Sequence, residues 1–100
     1  ALIGAGRWKS VLLMTYSEFG RRVAENQSLG TDHGTAAPHL VMGGAVEGGL
    51  HGAAPSLSRL ANGNLRYTTH YRRLYATVTQ HWWQLREPAW QRRFPPMDWV

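Results

Sequence analysis

The 100-residue sequence contains no cysteine, which excludes disulfides, thiolate catalysis and cysteine-ligated zinc and says little about redox compartment. It also lacks any apolar run near the roughly 18 residues needed to cross a bilayer, so no membrane span is expected. A basic, then apolar, then small-residue leader is missing as well, and any such leader is expected upstream. Lysine is almost absent: Lys9 stands alone, and the other ten of the eleven basic residues are arginine. With six acidic residues the formal charge is +5 and the isoelectric point near 10.5. That excess invites a nucleic-acid reading. Its distribution argues otherwise, because the arginines fall as the pairs Arg21-Arg22, Arg72-Arg73 and Arg92-Arg93 plus singles, with no basic arm. No nucleic-acid partner is expected. Arginine in place of lysine suits bidentate pairing with carboxylates or phosphates.

What is present is enough for one domain, since 43% of the residues are apolar. The sequence opens on Ala1, and the apolar, glycine-bearing stretch from Ala1 to Gly6 runs almost directly into a strand-like segment. It reads as a chain entered partway through, a single partial domain over 1–100 whose first partner is the missing N-terminal part of the same domain. Val11 to Tyr16 is a short continuous apolar run, the pattern of a parallel strand covered on both faces. A brief helical turn is expected from Val23 to Asn26. The stretch from Asn26 to Thr35 is polar and holds Gly30 and Gly34, which predicts a loop with at least one position of unusual backbone angles. Pro38 to Met42 reads as a second short strand, followed by a glycine-rich connection from Gly43 to Pro55. Asn62-Gly63 is a turn signal, and Leu65 to Thr68 is expected to leave it as an edge strand.

The clearest helical pattern follows. Tyr71, Leu74, Tyr75, Val78, Trp82 and Leu85 recur at three- and four-residue spacing, with Thr68 or Thr69 as cap and Pro88 as the stop. Arg72, Arg73, Thr77, Gln80 and Gln84 occupy the opposite face, which is expected to be wet. Trp82 and Trp83 are adjacent and cannot share a face, so one is expected to pack and the other to lie exposed or over a neighbour. Trp90 and Trp99 read as anchors of a tail kept extended by Pro95-Pro96.

The residues with metal chemistry are Asp32 and His33, which offer a carboxylate oxygen and an imidazole nitrogen side by side. Such donors suit zinc, manganese or iron, and the carboxylate alone also suits calcium. A mononuclear site needs at least three protein ligands, so the others would come from Glu18, a second histidine or chain outside this sequence. The bland alternative is a loop cap or a surface pair. His39 at the strand start and His51 between glycines are the further histidines able to face such a site, and His81 reads as a satisfied helix residue. Gly43-Gly44 and Gly48-Gly49 match neither a dinucleotide fingerprint nor a P-loop. No serine lies in a nucleophile elbow, so no catalytic residue is assigned.

The order strand, Ser17-Glu18-Phe19-Gly20-Arg21-Arg22, then Gly30-Thr31-Asp32-His33-Gly34, then strand and paired glycines resembles the C-terminal end of the domain of unknown function 1501 proteins. Those proteins are related to the sulfatase and alkaline phosphatase superfamily. The stretches Tyr67 to Val78 and Phe94-Pro95-Pro96 extend the likeness over nearly the whole chain, although the resemblance leads one to expect an Asp where this sequence has His70. It implies an α/β fold, the C-terminal fragment of an alkaline-phosphatase-like sheet with two or three short strands, a glycine-rich loop region and one long C-terminal helix. It further implies a divalent metal (zinc, manganese or calcium) held by Asp32, His33 and Glu18, and a metal-dependent hydrolase-like parent acting on small anionic phosphate or sulfate esters. Such a metal acts as a Lewis acid and lowers the pKa of a bound water or hydroxyl. Arg21 would pair with Glu18 or with a bound anion, and His39 and His51 would be substrate or supporting groups. The fragment alone would be inactive, and export from a bacterial cell is expected. The rival reading is a non-catalytic α/β scaffold or binding protein with a structural or vestigial metal loop.

Overall fold

The computed structural model describes residues 6–86 and 88–100, the side chains of Trp90 and Gln91 excepted. The apolar stretch at the start therefore lies outside the described residues up to residue 5, as does the anchoring role of Trp90. The fold is α/β, built from short strands and helices: β1 (Leu13–Met14), β2 (Gly20–Glu25), β3 (Thr31–Gly34), β4 (Val41–Met42), α1 (Tyr71–Thr77) and α2 (Pro88–Arg93). β1 pairs with β4, and β2 with β3. The chain divides into two compact units. One comprises the described residues up to Leu13 with Val41–His51 and Thr69–Val100, and the other comprises Met14–Leu40 and Gly52–Thr68.

The first unit is organised by α1. Its N-cap is His70, which has an extended backbone and whose ring Nδ1 accepts from the Arg72 amide at 3.2 Å. The capping task expected of Thr68 or Thr69 thus falls to an imidazole at the position where an Asp was anticipated. The helix continues through a π turn, Val78–Trp82, in which the Trp83 amide reaches back to the Val78 carbonyl. Gln84 then takes a positive φ of 56° and ends it. Pro88 does not stop this helix; it opens α2, where a missing N–H costs nothing.

The buried face of α1 is not the one its periodicity predicts. Ala76 and Thr77 are fully buried, whereas Tyr71, Tyr75 and Leu85 are exposed. Two residues of the polar stripe expected to be wet, Arg73 and Thr77, hold the tail instead, together with His81, a satisfied helix residue as expected. Arg73 Nε donates to the Pro95 carbonyl (2.9 Å), Thr77 Oγ1 accepts from the Met97 amide (2.8 Å), and His81 Nδ1 donates to the Val100 carbonyl (2.9 Å). Residues 73, 77 and 81 share one helix face, so their spacing matches an extended strand of backbone laid along it. Thr77 tolerates burial because its hydroxyl also donates to the Arg73 carbonyl at 2.7 Å. Trp99 is buried at 3% exposure, as an anchor should be, and its carbonyl accepts from the Glu47 amide. Trp82 is half-buried and Trp83 is 60% exposed, the division their adjacency requires. Near the start of the chain the backbone of Gly43 and Gly44 packs against Val11 and Lys9, and the Gly44 N–H donates a hydrogen bond to the Trp8 carbonyl.

The second unit is organised by an antiparallel hairpin. β2 runs through residues expected to be a helical turn, and β3 through Thr31–Gly34, expected to be loop. Gly20 pairs with Gly34, Arg21 with His33 and Glu25 with Thr31, with an irregularity between Arg21 and Glu25. The Asn62-Gly63 turn is present, with positive φ at both residues and a bridge from Ala61 to Asn64. Its carbonyls are held by the Arg22 guanidinium. No strand forms over 65–68. Nor is β1 the buried strand expected of Val11 to Tyr16: it is two residues long, with Leu13 43% and Tyr16 83% exposed.

Candidate functional site

Asp32 and His33 lie on β3, and successive side chains of a strand point to opposite faces. Each is therefore held by a different neighbour. Asp32 Oδ1 accepts from Asn26 Nδ2 at 3.1 Å. The oxygen of the same amide, Asn26 Oδ1, accepts from the Ser28 and Gly30 backbone amides at 2.9 and 3.0 Å, which shapes the 26–30 turn. That turn contains the unusual backbone angle expected of this region, at Leu29 (φ 64°) rather than at a glycine. A single side chain thus closes the hairpin and orients the carboxylate through one oxygen.

His33 faces the other side. Its ring stacks on Phe19, centroids 3.5 Å apart and planes 9° from parallel, the diagonal cross-strand contact of an antiparallel pair. Arg21, directly opposite His33, places its guanidinium 4.9 Å from the Phe19 centroid and donates to the Thr31 carbonyl at 2.7 Å. The aromatic ring and the carbonyl, not Glu18, hold this arginine.

The remaining candidates are dispersed. Glu18 is exposed in the turn before β2, where Ser17 Oγ donates to the Phe19 carbonyl. His39 is half-buried with Nδ1 3.4 Å from Thr15 Oγ1, and that hydroxyl also accepts from the Leu40 amide. His51 belongs to the first unit and donates from Nε2 to the Glu47 carbonyl at 2.8 Å. Among the described residues no group of three His, Cys, Asp or Glu side chains is placed to hold a metal ion. Asp32 and His33 have the donor chemistry of ligands but do not close a site between them.

Two residues that shape this region, Asn26 and Phe19, act through hydrogen bonding and ring stacking, and ligand spacing alone does not single them out. The signal for Asn26 was its place at the head of a glycine-containing turn, where asparagine bonds the backbone two residues on. Asn26→Ala removes three hydrogen bonds at once. It is expected to weaken the hairpin by about 1–2 kcal/mol, read as faster amide exchange across β2 and β3 than in the unsubstituted protein. Equal exchange would mean that the turn is held by its backbone alone.

Comparison with known proteins completes the picture. Neither curated proteins nor solved structures gave a match. A family model matched residues 1–87, which take in both strands of the hairpin and all of α1, and the chain accordingly belongs to the family described as protein of unknown function (DUF1501).

Proposed function

We propose that this chain is the ligand-bearing part of a metal-dependent, hydrolase-like domain of the sulfatase and alkaline phosphatase type, acting on small anionic phosphate or sulfate esters. Asp32 and His33 are the donors, with Glu18 as a further ligand. The nucleophile and the completing donors come from a segment of the same domain outside this chain. The observation that carries the reading is the state of the two donors. Asp32 is exposed and fixed through one oxygen by a neutral amide, which leaves the second oxygen open to a cation. His33 is exposed and fixed by ring stacking, a contact that uses neither nitrogen. A bound zinc, manganese or calcium would supply Lewis-acid chemistry there. Arg21, beside the imidazole, is a candidate for the anionic group of an ester. Exposed Leu13, Tyr16, Leu40, Met42, Tyr71 and Tyr75 are apolar surface that a further part of the domain would cover. An exported location in a bacterial cell belongs to the same proposal.

A second reading has an observation in its favour. Strand alternation directs Asp32 and His33 to opposite faces of the hairpin, which suits a non-catalytic scaffold whose loop holds a structural ion or none. Metal content of the full-length protein, with hydrolysis of nitrophenyl phosphate and nitrophenyl sulfate, separates the two. Asp32→Ala and His33→Ala are each expected to lower metal content and to cut hydrolysis by at least about 100-fold, the loss typical of a removed charge-stabilising group. A full-length protein that neither takes up metal nor hydrolyses either ester favours the scaffold.

A further inference from the structure

The turn at Asn62-Gly63 brings an asparagine amide and a glycine N–H together with no competing contact, and we infer that Asn62 is a self-modification site, converting to aspartate and isoaspartate in the folded protein. Asn62 is exposed at φ 52°, and Gly63 follows at φ 80°. Two backbone bonds between Ala61 and Asn64 close the turn, and the Arg22 guanidinium donates to the carbonyls of Asn62 and Gly63. These contacts use neither the Asn62 side-chain amide nor the Gly63 N–H, and among the described residues neither group has a hydrogen-bond partner. The two groups that have to react with each other are thus both unengaged. Glycine at the second position adds no side chain to obstruct the approach.

The reaction consumes only water. The Gly63 nitrogen gives up its proton to solvent and attacks Asn62 Cγ. A bond from nitrogen to Cγ forms, the bond from Cγ to Nδ2 breaks, and ammonia leaves with a proton from solvent, closing a succinimide. Water then opens the imide. Cleavage at Cγ gives aspartate, and cleavage at the Asn62 backbone carbonyl carbon gives isoaspartate. In the second product the carbonyl that accepts from Arg22 becomes a carboxylate, so a neutral acceptor is exchanged for a charge-assisted partner of the same guanidinium. The backbone also gains a methylene between residues 62 and 63, which the paired bonds of Ala61 and Asn64 cannot span in their present register. Arg22 lies on β2, so the change is passed to the hairpin that carries Asp32 and His33.

The asparagines of this chain are Asn26, Asn62 and Asn64, and they serve as each other's controls. The test incubates the folded full-length protein in heavy-oxygen water and maps label uptake at each of them by peptide mass. Asn62 is expected to take up label at least about tenfold faster than Asn26, whose side chain must first release three hydrogen bonds. Asn64, followed by Leu65 rather than by glycine, should also lag behind Asn62. Asn62→Gly keeps the positive φ without an amide, and its turn should take up no label. Equal uptake at Asn26 and Asn62 overturns the inference. So does an Asn62 amide that persists in the folded protein over a period in which the urea-unfolded protein converts, since the turn would then protect the residue.

Discussion

Gly20→Ala is expected to disrupt the β2–β3 hairpin, at or above the upper end of the roughly 1–3 kcal/mol that overpacking usually costs. Gly20 is buried, and a Cβ built there would collide with the backbone carbonyl of Ala36. Its register partner is another glycine, Gly34, where a Cβ would stand 2.7 Å from the Arg21 carbonyl carbon. Neither obstacle is a flexible side-chain end, so relief requires the strands to separate. The consequence reaches the candidate site because β3 carries both Asp32 and His33, and the Phe19–His33 stack depends on the pairing. Gly30→Ala is the control: its nearest contact is Asn26 Oδ1 at 3.9 Å, an ordinary separation, and its φ lies outside the left-handed range. Denaturant unfolding of the full-length protein should therefore separate the two alanines by about 2 kcal/mol or more. Equal midpoints would mean that the close approach at Gly20 is not a feature of the folded protein.

The same hairpin shows where a sequence reading stops. The pair Asp32 and His33 stands out in the sequence as adjacent carboxylate and imidazole donors between glycines. Its conformation was not legible there. β2, with Arg21 and Glu25 exposed and Arg22 half-buried, has no apolar alternation, and β3 is bracketed by glycines that normally mark loops. Their pairing rests on backbone bonds and one asparagine, neither of which leaves a hydrophobic period. The Asn62-Gly63 turn was legible for the opposite reason, since the need for positive φ is written in the residue types themselves. The run from Val11 to Tyr16 misled because an apolar segment states a demand for burial without naming its cover, and here Leu13 and Tyr16 remain exposed. On α1 the apolar stripe gave the helix but the wrong inner face. Arg73, Thr77 and His81 hydrogen-bond the tail backbone, a form of docking that hydrophobic periodicity does not record.

Trp99→Ala is expected to be the most damaging change in the first unit, at about 3–5 kcal/mol, the usual cost of truncating a buried tryptophan. Among the described residues the buried apolar side chains are Ala76 and Trp99, so no larger apolar contribution stands behind it. Two kinds of contact compete for the role of holding the tail: the indole, and the bonds from Arg73, Thr77 and His81. Each hydrogen bond nets about 0.5–1.5 kcal/mol, because its partners bond water when the tail is free. The indole gains more from burial than any one of them. The bonds set the register of the tail on the helix, and the tryptophan supplies the larger share of the holding energy. Trp99→Phe, which keeps an aromatic ring, should therefore recover more than half of the loss, whereas removing the Arg73 or the His81 contact singly should cost less than about 2 kcal/mol. Unfolding of the full-length protein in guanidinium measures all three. If Trp99→Ala shifts stability by less than about 1 kcal/mol, within the range of a single hydrogen bond, the polar stripe rather than the indole holds the tail.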